Sequence, residues 1–91
     1  GAPARHDDVL DALKAYRTYI VSELAKNTPL HAITRHILGA FNGRPGARLW
    51  RRHLSENAPR READIQVFDE ALAIVEEQMA RAEAAQEARS A

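Results

Sequence analysis

The 91-residue sequence contains no cysteine, which excludes disulfides, thiolate metal sites and cysteine nucleophiles and leaves the redox compartment unread. Aromatic residues make up only 5% of the chain while alanine is abundant, a balance that favours helices. No apolar run approaches the length of a membrane span. The N-terminus also lacks the basic stretch and apolar segment of a signal peptide, so the chain is expected to be soluble and cytoplasmic. Strand-like alternation and internal repeats are missing as well. The length suits one small core and is too short for a two-domain enzyme with a cofactor cleft, so a module is expected. It opens Gly-Ala-Pro with no initiator Met, so a tag-cleavage remnant on a piece of a longer protein is expected.

Net charge is zero too, but that absence conceals a strong asymmetry. From Lys26 to Arg61 eight Lys or Arg face a single acid, Glu56, so this segment carries about +7 and the remainder about −7. Seven of the eight are arginines, whose planar fork fits phosphate better than a lysine point charge does. A polyanion is the first partner this pattern suggests.

Helical punctuation divides the chain. A first helix is predicted from about Asp7 to Lys26, with Val9, Leu13, Tyr16, Ile20 and Leu24 on one apolar stripe. Asn27 closes it in the left-handed conformation; Thr28 as N-cap and Pro29 as first helical residue open the next. That second helix is expected to run to Asn42-Gly43, with Leu30, Ile33, Ile37 and Phe41 inward and His31, Arg35 and Asn42 outward. Pro45 is read as restarting the chain in a third helix, Ala47, Trp50 and Leu54 inward and Arg48, Arg52 and Ser55 outward, Arg51 at the border. Ala58-Pro59 breaks it, and Asp64 caps a fourth helix built on Ile65, Phe68, Leu72, Val75 and Met79. The predicted fold is all-α, an antiparallel four-helix bundle with an alanine-rich C-terminal extension. Residues 1–6 are expected to be a disordered or tag-derived lead, 7–80 the helical domain, and 81–91 a polar helical or frayed tail.

The basic middle carries the candidate chemistry. A helix starting at Pro45 would present the Gly46 and Ala47 amides at its positive end, flanked by Arg44 and Arg48, a place where phosphate binds readily. Gly43 and Gly46 would let a sugar-phosphate backbone approach, with Arg35, Arg51, Arg52, Arg60 and Arg61 tracking neighbouring phosphates. The plainer reading is a solvated helix face whose arginines pair with acids at the bundle seams, and some such pairing is expected. Trp50 and the two Phe are read as core anchors. His31, His36 and His53 have no metal-ligand spacing; Lys26, His31 and His53 are possible secondary contacts, and His36 is expected to cap or pack at a helix seam.

One run is more specific than any periodicity. Thr34-Arg35-His36, Leu38-Gly39, Phe41, Gly43, Pro45-Gly46-Ala47-Arg48, Trp50-Arg51-Arg52 and Leu54-Ser55-Glu56 resemble the C-terminal helical domain of tRNA-dihydrouridine synthases, closest to the A-type subfamily. The likeness extends in order and spacing over most of residues 7–80. It implies a parent enzyme that reduces tRNA uridines to dihydrouridine with FMN and NADPH on an N-terminal TIM barrel, whose cysteine is the general acid. It implies for this part a catalytically inert tRNA-gripping domain, docked on its own barrel, with no cofactor or metal of its own. By motif position it points to Arg35, Arg48, Arg51 and Arg52. Arg44 falls in a variable slot, and Arg60-Arg61 replaces a looser linker. Two other readings stay open: a DNA-binding module using the third helix in a major groove, and an interaction bundle docking an acidic protein surface.

Overall fold

The computed structural model describes residues 6–90, with side chains placed for residues 8–89. Every regular element among them is helical: α1 (His6–Ala25), α2 (Leu30–Thr34), α3 (Ala47–Asn57) and α4 (Ile65–Ser90). The expected lead lies outside the described residues except for His6, which opens α1. None of these helices is long and apolar enough to cross a membrane.

Helix α4 organises the bundle. Arg17 meets Asp69 and Lys14 meets Glu76, so α1 runs antiparallel to α4. Gly46 packs against Val75 and Gln78 while His53 meets Glu70, so α3 is antiparallel to α4 as well. The apolar stripes read from the sequence converge between these helices. Leu13 and Ile20 of α1, Leu30 and Ile33 of α2, Trp50 and Leu54 of α3, and Phe68, Leu72 and Val75 of α4 are all buried. Trp50 is fully enclosed, with Phe41 edge-on at 4.9 Å and Phe68 at 6.0 Å between ring centres. Its indole N–H donates to the Ile37 carbonyl at 2.8 Å, so even the polar end of the ring is used inside.

Helix boundaries follow their local chemistry, with three departures from expectation. Asn27 does end α1 with φ +68°, in a Schellman arrangement: the Thr28 N–H reaches the Glu23 carbonyl at 3.1 Å and the Asn27 N–H the Leu24 carbonyl at 2.9 Å. Thr28, however, is not the N-cap of α2. Its hydroxyl turns back to Glu23, and extended Pro29 occupies the cap position without a side-chain bond.

The second helix also stops at Thr34 instead of reaching Phe41. Residues 35–43 descend in overlapping turns, with N–H groups of Ile37, Ala40 and Asn42 bonded to carbonyls three residues back. In a continuous α-helix the Ile37 carbonyl would take the Phe41 N–H; here the Trp50 indole claims it, and Gly39 offers little helical preference to resist. Ile37 and Phe41 are nonetheless buried.

The third departure is at Pro45. It does not begin α3 but sits at the second position of a type II turn. Gly46 is at the third (φ +86°, ψ −1°), and the Ala47 N–H closes the turn on the Arg44 carbonyl at 3.2 Å. Asp64 behaves as expected, its Oδ1 accepting the Gln66 N–H at 2.9 Å at the start of α4. Beyond Met79 the helix continues to Ser90, and residues 80–89 are all exposed.

Candidate nucleic-acid interface

Helix α3 presents Arg48, Arg51 and Arg52 to one open groove of about 590 Å³, completed by Asn42, Gly43, Ala47 and Ser55. The reason is geometric. Trp50 and Leu54 point inward, so residues two before and two after Trp50, together with the border position Arg51, face outward on the same side of the helix. The Phe41–Arg44 turn then brings Asn42 and Gly43 alongside.

Each arginine of the groove is held differently. Arg48 is exposed and has no hydrogen-bond or acidic partner among the described residues. Arg51 donates through Nη2 to Oδ1 of Asn42, a neutral acceptor that leaves its charge uncompensated. Arg52 donates to Glu56 at 3.0 Å, one turn along the same helix and exposed on both sides, a pairing of modest strength.

The other sequence-derived positions fall outside this groove. Arg35 is exposed just past α2; Arg44 is half-buried in the double turn; Arg60 and Arg61 lie on the exposed connection between α3 and α4. Arg60 lines a separate hollow of about 200 Å³ with Glu62, Asp64 and Glu70, surroundings that oppose an anion. Lys26 is bonded to Glu23 at 3.1 Å. His31 is exposed. So is His36, away from the seam expected for it. His53 is half-buried between Glu70, 3.3 Å from its Nε2, and the Asn57 amide. No three His, Asp or Glu side chains among the described residues come together as a metal ion would require.

The helix N-terminus is arranged otherwise than a phosphate cradle beginning at Pro45 would be. The Ala47 amide is spent on the Arg44 carbonyl, and the open side of Gly46 faces α4, where a Cβ would stand 3.2 Å from the Val75 Cα and Gln78 Cβ. Gly46 thus serves packing. Gly43, at φ +79° with nothing within 4 Å of a Cβ position, is the glycine on the open side.

The seam between α1 and α4 is bridged by bases of α1. Arg17 and Lys14 of α1 take Asp69 and Glu76 of α4. Arg35, Arg48, Arg51, Arg52, Arg60 and Arg61 have no acid partner on another helix among the described residues. In the Arg17–Asp69 pair two hydrogen bonds of 2.8 and 2.9 Å hold the Asp69 carboxyl below the usual carboxylate range, against an opposing push from burial, and raise Arg17. Sequence reasoning passed over Asn42 as a binding-site residue, since its tie to Arg51 depends on a turn nine residues away. The Asn-Gly pair read only as a stop signal.

No family model and no solved structure matches the chain. Curated relatives do. A tRNA-dihydrouridine(20/20a) synthase of Yersinia pestis is 54% identical over 68 residues, 75% of this chain and 20% of the relative. The synthase of the same name from Escherichia coli K12 is 52% identical over 68 residues, again 75% of the chain and 20% of the relative. That of Salmonella typhimurium is 47% identical over 75 residues, 82% of the chain and 23% of the relative. The chain therefore spans about one fifth of the length of these relatives. Identity near one half over three-quarters of its residues places the chain in the tRNA-dihydrouridine synthase family, as a helical portion of the full-length architecture.

Proposed function

We propose that this helical chain is the tRNA-gripping part of a tRNA-dihydrouridine synthase, orienting tRNA for reduction of a uridine by a catalytic barrel elsewhere in the parent protein, in the cytoplasm. One observation carries the reading: three arginines of α3 gather at one groove, and none is neutralised across a helix seam. Their number and exposure suit a sugar-phosphate backbone, with affinity from charge and shape more than from base edges. The names of the relatives suggest tRNA as the relevant polyanion.

The part itself is proposed to be non-catalytic. The groove does not suit FMN: three arginines, Asn42 and Ser55 line it, and Ala47 is its one apolar side chain to face a flavin ring system. The flavin and NADPH chemistry of the parent is proposed to belong to other residues of the full protein.

The testing experiment titrates the chain into labelled folded tRNA and into duplex DNA of matched charge at two salt concentrations. A label on the nucleic acid is needed, because Trp50 is fully buried and reports poorly on surface binding. Expected are tighter binding to tRNA and a log–log salt slope of roughly −0.7 to −0.9 per phosphate engaged. Arg48→Ala and Arg52→Ala should each weaken binding and flatten the slope by about one phosphate, with helicity unchanged because both side chains are exposed. Binding to neither nucleic acid by a folded chain would refute the reading and favour docking on the parent barrel. Equal binding to both would favour a general polyanion or DNA module.

A further inference from the structure

Resting on the RNA-binding reading, we infer that Asn42 is a positioning residue: it holds the Arg51 guanidinium over the groove so that it meets an RNA phosphodiester already oriented. Three observations on different elements converge on it. Asn42 Oδ1 accepts from Arg51 Nη2 across nine residues of sequence, linking the turn before α3 to the helix itself. The Asn42 side chain lies over Gly39, where a Cβ would stand 3.0 Å from Nδ2, so the absence of a side chain at Gly39 leaves the amide room to lie there. Both Asn42 and Arg51 line the groove, beside Arg48 and Arg52.

The chemistry of the acceptor decides the role. A carboxylate would orient Arg51 equally well but would cancel its charge, as Glu56 does in part for Arg52. An amide oxygen orients without cancelling. Arg51 therefore keeps its full attraction for phosphate while one of its hydrogen-bonding nitrogens is anchored, and its remaining N–H groups face an incoming oxygen with less rotamer freedom to lose.

The test uses three substitutions and two readouts on the 91-residue chain. Asn42→Ala keeps every charge, so tRNA affinity should fall about two- to tenfold, the cost of ordering one long side chain on binding, with an unchanged salt slope. Asn42→Asp should keep Arg51 oriented but flatten the slope by roughly 0.7–0.9, one phosphate's worth, because the new carboxylate neutralises it. In an Arg51→Ala background Asn42→Ala should have no further effect. The second readout is independent of RNA: side-chain nitrogen NMR should show slowed guanidinium rotation for Arg51 in the parent chain and fast rotation in Asn42→Ala.

Equal rotation in both proteins, or an Asn42→Ala loss that persists without Arg51, overturns the inference while leaving tRNA binding by the domain intact. Slow Arg51 rotation in a chain that binds no tRNA overturns the phosphate role and the RNA-binding reading together, reducing the hydrogen bond to a structural one.

Discussion

Trp50 is the position at which the fold can be tested most sharply, because the basic face it supports sits on the same helix. Its side chain is fully buried, packed edge-on to Phe41 at 4.9 Å and to Phe68 at 6.0 Å, and bonded to the Ile37 carbonyl at 2.8 Å. Trp50→Ala removes all three interactions and leaves a cavity at the junction of α3, α4 and the 35–43 turns, at a cost of about 3–5 kcal/mol. A domain of this size has about 5–14 kcal/mol to lose, on the order of 0.05–0.15 kcal/mol per residue, so the variant should forfeit a large share of its stability. With a urea slope of about 1–1.5 kcal/mol/M for so small a chain, the unfolding midpoint should drop by about 2–5 M. Far-UV circular dichroism is the assay, since the substitution deletes the intrinsic fluorophore. Trp50→Phe refines the test: it keeps an aromatic body and loses the indole N–H bond, for a smaller loss of about 1–2 kcal/mol. The Ile37 carbonyl retains the Ala40 N–H at 3.1 Å and is not orphaned, which limits that second cost. If Trp50→Ala lowered stability by under 1 kcal/mol, the ring could not be the centre of this core.

Other expectations follow from single sites. Glu56→Gln should free Arg52 from its acidic neighbour at 3.0 Å and strengthen tRNA binding at low salt, the effect fading as salt rises; a titration showing weaker binding would contradict the electrostatic account. Gly46→Ala places a Cβ 3.2 Å from α4 backbone at φ +86°, for a loss of at least about 1–3 kcal/mol in urea unfolding, whereas Gly43→Ala meets nothing and pays only for its φ of +79°, about 1–2 kcal/mol. Asp69 has a folded pKa below its unfolded value, so the Arg17 bridge contributes fully above about pH 4 and is lost as pH falls through the lowered folded value; stability should decline over that acid range less steeply in Asp69→Asn.

Periodicity made the inward-facing residues readable. Leu13 and Ile20, Leu30 and Ile33, Trp50 and Leu54, and Phe68, Leu72 and Val75 recur at three- and four-residue steps, and all are buried. The left-handed Asn27 and the Asp64 cap were equally plain, because each depends on a few neighbours alone. What was not readable depends on partners distant in sequence. Helix two was expected to continue because nothing local forbids it; the Trp50 indole, thirteen residues on, takes the carbonyl that continuation would use. Pro45-Gly46 admits two local readings, helix start or type II turn. The choice falls to the turn because α4 passes within reach of only a glycine. For the groove, the outward direction of Arg48 and Arg52 was legible, but the presence of Asn42 beside Arg51 was not, since it requires knowing how the turn folds back.

The distribution of charge gives a reason why a neutral chain has a basic face. Two acids of α4 sit where α1 supplies bases, and the pairs Arg17–Asp69 and Lys14–Glu76 consume negative charge at that seam. Had Arg48, Arg51 and Arg52 been the partners of α4, their charge would have been cancelled within the bundle, and no such face would remain for a polyanion. Two bases on α1 therefore do more than join two helices: they leave α3 free to present Arg48, Arg51 and Arg52 on one side.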